Sequence, residues 1–166
     1  RAIELNPDFA EAYSNLGGIL RELGKLKEAE LITLKAVELN PNLANAYSNL
    51  GIISYELGKL KEAEIFACKA IELNPNFAKA YYSLSKIESL SNEKNWEEYL
   101  FTQDILNIQK DIDKIDIYFA RANILERQSN YIQSANMLRE ANSLNRKLYG
   151  TNYIRIKNQL EYYYKI

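Results

Sequence analysis

The dipeptide Asn-Pro occurs three times, at Asn6-Pro7, Asn40-Pro41 and Asn74-Pro75, and each occurrence lies 34 residues from the next. A fixed period of this size constrains the fold more than any composition figure. It means one supersecondary unit copied along the chain, with each copy burying its apolar face against its neighbour. Laying residues 6–39 over residues 40–73 gives 23 identities in 34 positions, and the shared skeleton reads NPxxAxAYSNLGxIxxELGKLKEAExxxxKAxEL.

Within one copy the residues dictate two helices. Asn40 before Pro41 does not comfortably stay helical, so the preceding helix is predicted to end near Leu39. Asn40 is then expected to cap the next helix, with Pro41 in its first turn. Ala44, Tyr47, Leu50, Gly51 and Ser54 follow at helical spacing on one face. Gly58 is expected to end that helix in the left-handed conformation. A second helix runs from about Leu60 to Leu73, with Leu60, Ala63, Ala67 and Ala70 on its inner stripe. Small residues opposite large ones let two antiparallel helices approach closely. Tyr13, Leu16, Gly17, Ala29 and Ala36 repeat the arrangement one copy earlier.

The 34-residue period, Tyr-x-x-Leu-Gly, the later pair of alanines and the closing proline together resemble the tetratricopeptide repeat. The resemblance implies an all-α fold, an α-solenoid of antiparallel helix pairs wound as a right-handed superhelix. Residues 1–5 match Lys35–Leu39 and Lys69–Leu73, so they are expected to be the tail of an upstream unit, with Arg1 a fragment boundary. Repeat 1 then covers 6–39 and repeat 2 covers 40–73. A degenerate repeat 3 covers 74–110, where Ser85 replaces the glycine and Ser91–Asn95 replaces the tight turn. There a helix from about Trp96 to Gln109 is expected, splayed or displaced because Tyr99 falls near an alanine position, with Trp96 packing inside. A divergent repeat 4 covers 113–146, carried by Phe119, Ala122, Leu125, Tyr131, Ser134 and Ala141, with Asn130-Tyr131 in place of Gly-Lys-Leu. Residues 148–166 form an irregular, aromatic-rich end, either a capping helix or a linker.

The run Ile117–Leu125, with Asn130-Tyr131 and Glu140–Asn142, also resembles the last repeat of bacterial tetratricopeptide–sulfotransferase fusions. That implies, as an alternative, a non-catalytic arm serving substrate presentation or oligomerisation. The six glycines are scattered, and no phosphate-cradling loop is present in these 166 residues.

Chemistry narrows the function further. The absence of histidine removes Ser-His and Cys-His nucleophiles and His-based metal sites. The carboxylates alternate with lysines on outward positions as a solvated face, and Cys68 is expected to be a bystander thiol. A net charge of −1 gives nucleic acid no purchase, and no apolar run approaches a membrane span. The lone cysteine suits a reducing, cytoplasmic setting. The expectation is therefore a non-enzymatic scaffold without cofactor or metal, binding a protein or peptide. Self-association through exposed repeat ends is open to it as well.

By the resemblance, first helices line the concave groove. This places Glu11, Ser14, Asn15, Gly18 and Arg21, then Asn45, Ser48, Asn49, Ile52 and Tyr55, then Lys79, Tyr82, Ser83, Lys86 and Ser89 there. The candidate binding residues are Asn15, Asn49, Arg21, Ser48, Tyr55, Tyr82 and Lys86. Tyr-Ser-Asn-Leu-Gly also resembles the superhelix of O-GlcNAc transferases, which implies that Asn15 and Asn49 grip a peptide backbone. An amide side chain can donate and accept at once. Arg21, Lys79 and Lys86 are too few to match the carboxylate clamp of chaperone-binding relatives well.

Overall fold

The computed structural model describes residues 9–87 and 95–164, with the side chains of Asn95, Ile108 and residues 151–164 outside the description. The expectations for residues 1–8, for Ser89 and the turn at 91–94, and for the side chains of the aromatic tail lie outside it as well.

Four helices make the two regular copies: α1 (Phe9–Glu22), α2 (Leu26–Leu39), α3 (Ala44–Glu56) and α4 (Leu60–Leu73). The turn inside each copy is the one its glycine dictates. Gly24 and Gly58 have φ of +74° and +77°. The N–H groups of Gly58 and Lys59 donate to the carbonyls of Tyr55 and Ser54, and those of Gly24 and Lys25 to Arg21 and Leu20. Two such bonds satisfy the carbonyls that the end of a helix leaves free. The turn between copies differs from the sequence expectation. Asn40 is the C-cap of α2, in extended conformation, and does not cap α3, whose N-cap is Leu43. The Asn40 side chain accepts from Asn42 N–H at 3.0 Å, and Leu43 N–H returns to the Asn40 carbonyl. Pro41 therefore occupies a turn ahead of the helix, where its fixed φ is as useful as at the first helical position. Asn74, Asn76 and Phe77 repeat these bonds before the third copy.

Small residues bring the pairs together. Gly17 faces Thr33, and a side chain on Gly51 would press on the backbone of Ala63 and Ala67. Ala29, Ala36, Ala46, Ala63, Ala67 and Ala70 are all buried.

The third copy breaks the pattern. Its first helix, α5 (Ala78–Lys86), is followed by two short helices, α6 (Asn95–Leu100) and α7 (Gln103–Ile108), where one continuous helix was predicted. Thr102 adopts an extended conformation at the break, and its hydroxyl donates to the Tyr99 carbonyl. The carbonyls of Leu100 and Thr102, freed by the break, accept from the buried Arg121 guanidinium at 2.8 and 2.7 Å. The second half of copy three is thus displaced, and α5 packs directly against α8 (Asp111–Arg127), the first helix of copy four. Tyr81, Leu84, Trp96, Leu100, Ile105, Ile117 and Ile124 fill the resulting core.

Copy four pairs α8 with α9 (Tyr131–Tyr164), a helical run interrupted at Gly150, where φ is 72° and ψ is 174°. Its internal turn keeps the hydrogen bonds of the earlier copies, with Ser129 at φ 60° in the glycine position. The registration is therefore Ser129-Asn130-Tyr131 on Gly58-Lys59-Leu60, one residue more complete than the sequence comparison suggested. Among the described residues, no helix is long and apolar enough to cross a membrane.

Candidate functional site

A cleft of about 280 Å³ opens where the first helices of successive copies lie side by side. From α1 and α3 it takes Arg21, Asn49, Ile52, Tyr55 and Glu56; from α5 and α8 it takes Lys79, Tyr82, Ser83, Lys86 and Asp116. Tyr55, 37% exposed, and Ile52 supply apolar surface. Tyr82 is half-buried, with its ring 6.0 Å from that of Phe119. The Lys86 ammonium lies 4.1 Å above the Tyr82 ring, a distance at which the π face attracts the cation. Arg21 donates to Glu56 at 3.0 Å, so that pair is neutralised and ties copy one to copy two. A second, shallower depression shares Tyr55, Tyr82 and Lys86 and continues onto α8 through Asn123, Glu126 and Arg127.

Five of the seven candidate residues named from sequence come together here: Arg21, Asn49, Tyr55, Tyr82 and Lys86. The other two do not. Asn15 is exposed on α1 away from the cleft, and Ser48 is fully buried, so its hydroxyl cannot touch a partner. The family resemblance had put Ser48 on the inner side, but that position is fully buried.

Asn49 also departs from its expected role. Its Nδ2 donates to both the backbone carbonyl and the hydroxyl of Ser14, each at 3.0 Å. Asn45 Nδ2 donates to the same hydroxyl at 3.3 Å. The amide of Asn49 therefore staples α3 to α1, and its N–H groups are spent within the protein. The sequence comparison missed Glu56 and Asp116 as lining residues. Glu56 could have been sought as an acidic partner for Arg21 one copy on, 35 residues later, whereas Asp116 arrives only because α8 packs directly against α5.

Outside the cleft the chemistry is muted. Burial, and then the charge of Glu64, push the Cys68 thiol above its ordinary pKa and keep it protonated. Among the described residues no group of three or more acidic, histidine or cysteine side chains is placed to hold a metal.

Antiparallel helix pairs stacked at a 34-residue period, with their first helices lining a cleft, define a tetratricopeptide-type α-solenoid. Residues 8–76 match the tetratricopeptide repeat family model. Among solved structures the chain is similar to YrrB, described as a tetratricopeptide protein with an unusual peptide-binding site. That match has a TM-score of 0.54 at 19% identity, over 93% of this chain and 95% of that one. A MamA double mutant gives 0.53 at 18% identity, over 87% and 80%. PilW, a widely conserved type IV pilus biogenesis factor, gives 0.53 at 20%, over 90% and 67%. At these identities the likeness is one of fold. No curated protein matches the chain in sequence.

Proposed function

We propose that this chain is a protein-interaction scaffold whose cleft takes an extended segment of a partner protein. The observation that carries this reading is the lining itself. Two tyrosines and an isoleucine sit beside Lys79 and Lys86 on rigid helices, in a concavity shared by four first helices. Aromatic and cationic side chains on a preformed surface give anchoring area at small entropic cost. YrrB, which shares the fold, carries a peptide-binding site, and this supports the reading without supplying a partner. The residues assigned to binding are Tyr55, Tyr82, Lys86, Arg21 and the carbonyl side of Asn49.

The test selects peptides by display on the wild-type chain and measures their affinity by calorimetry. Tyr55→Ala with Lys86→Ala should weaken selected peptides about tenfold or more while leaving the melting temperature nearly unchanged, because losing two anchors removes a few kcal/mol from binding. Leu31→Ala, on an exposed position of α2 remote from the cleft lining, should leave affinity as it was. Equal affinity for the wild type and the double variant would refute the cleft as the site.

A further inference from the structure

The cleft straddles a boundary between two bodies that are tied internally in different ways. Copy one is bonded to copy two by Asn49 and Asn45 on Ser14, by Arg21 on Glu56, and by Lys59 on Glu30 at 2.6 Å. Copy three is bonded to copy four by Asn123 on the Ser85 hydroxyl at 2.9 Å and by Arg127 on the Ile87 carbonyl at 2.6 Å. Arg121 on Leu100 and Thr102 adds to the second set. Among the described residues, no such bond joins α3 to α5 on the concave side of their seam. The successors of Asn49, Asn45 and Arg21, counted 34 residues on, are Ser83, Lys79 and Tyr55. Ser83 is too short to cross, and its hydroxyl donates to Lys79 of its own helix at 2.9 Å. The acceptor has been kept: Ser48, the successor of Ser14, is fully buried, and its hydroxyl has no hydrogen-bond partner.

We infer that the α3–α5 seam is a hinge, and that α1–α4 and α5–α9 move as two bodies about the apolar contact of α4 with α5 to set the width of the cleft. Each body contributes five lining residues, so any rotation at the seam changes the separation of Tyr55 from Tyr82 and Lys86 directly. Packed helices slide and rotate easily where no directional bond fixes their register. The retained but unpaired Ser48 hydroxyl favours opening, since water can reach it only when the seam parts. The pivot side is built from Ala67, Ala78, Tyr81 and Leu84, with Cys68 and Ile71 alongside, and this packing holds the two bodies together while they move. The hinge rests on the cleft reading only for its effect on binding.

Hydrogen exchange under native conditions tests it in both directions. Ser83→Asn restores the donor opposite Ser48 and should slow exchange of the α5 amides about fivefold, the factor for one net hydrogen bond of about 1 kcal/mol. Asn49→Ser removes the donor from the seam between copies one and two, and should speed exchange of the α3 amides there by a similar factor. Ser83→Ala, which adds no donor, should leave the rate in α5 unchanged. If Ser83→Asn does not fold, Asn49→Ser decides alone. Unchanged exchange in Asn49→Ser, or an α5 rate in Ser83→Asn equal to that of Ser83→Ala, overturns the hinge. A display-selected peptide should bind Ser83→Asn with altered affinity. If no peptide is sensitive to Lys86→Ala, the cleft reading fails while the exchange result still stands.

Discussion

Three repeat-related positions show how one residue type changes meaning with its neighbours. Ser14 and Ser48 occupy the same place in successive copies and are equally buried, yet Ser14 receives two amides and Ser48 none. A buried hydroxyl with partners stabilises, and one without them costs its desolvation. Ser14→Ala should therefore lower stability by about 1 kcal/mol, while Ser48→Ala should raise it by about the same amount. The helix-propensity gain of alanine is common to both, so the difference between the two urea midpoints is the measurement that counts. Ser129 makes the complementary case. It holds φ of 60° in a turn whose two earlier versions use glycine, and a side chain there strains the backbone. Ser129→Gly should stabilise the chain by roughly 0.5–1 kcal/mol, read as a rise in melting temperature, whereas Gly58→Ala should destabilise it by a similar amount.

At the scale of elements, the ends of α2 and α3 and both bounds of α4 were legible almost to the residue because their signals are local. Proline, glycine and small-large alternation act within a few residues of the boundary they set, and the two copies corroborate each other. Two local readings failed. Asn40 as N-cap came from a side chain that can serve either neighbouring helix, and its bond to Asn42 decided the matter. Leu60, expected on the inner stripe, is the first residue of α4 and is 42% exposed. The break between α6 and α7 was not legible, because what sustains it lies 21 residues away along the chain. The Arg121 guanidinium satisfies the carbonyls of both Leu100 and Thr102, and burial lowers its pKa from the ordinary guanidinium value. The same limit explains the candidate site. The resemblance to tetratricopeptide arrays pointed to five cleft residues, but it could not see that Ser48 is covered or that Asn49 bonds inward. Arg121→Met should keep the bulk and lose the bonds, costing about 2–3 kcal/mol, because charge-assisted bonds to buried carbonyls are worth more than neutral ones. A denaturant titration that finds Arg121→Met within about 0.5 kcal/mol of wild type would mean the break closes into a continuous helix without it.

The molecule as a whole is uneven in what holds it. In copies one and two the interior is mostly alanine and glycine, with Leu50 and Ile53 the large fully buried side chains. Across α5 to α8 the buried set includes Tyr81, Leu84, Ile87, Leu100, Ile105, Ile117 and Ile124. Each large side chain removed from water contributes about 1.5–3 kcal/mol, several times what an alanine does, so the second body is the more strongly held. In an array where each unit touches only its neighbours, stability is close to a sum over units and seams, and a weak seam lets the ends part company. Trp96 is the sole tryptophan, and it sits in the stronger body with its ring 6.5 Å from that of Tyr81. Its fluorescence therefore reports α5–α8, while far-ultraviolet circular dichroism reports all the helices. In a urea titration the dichroism should begin to fall at a lower concentration than the fluorescence, as α1–α4 opens first. Coincident curves would show that the seam transmits unfolding in full, with the chain melting as one cooperative unit. Ser83→Asn, by bonding the two bodies, should draw the curves together, whereas Leu84→Ala should lower the fluorescence midpoint and close the gap from the other side.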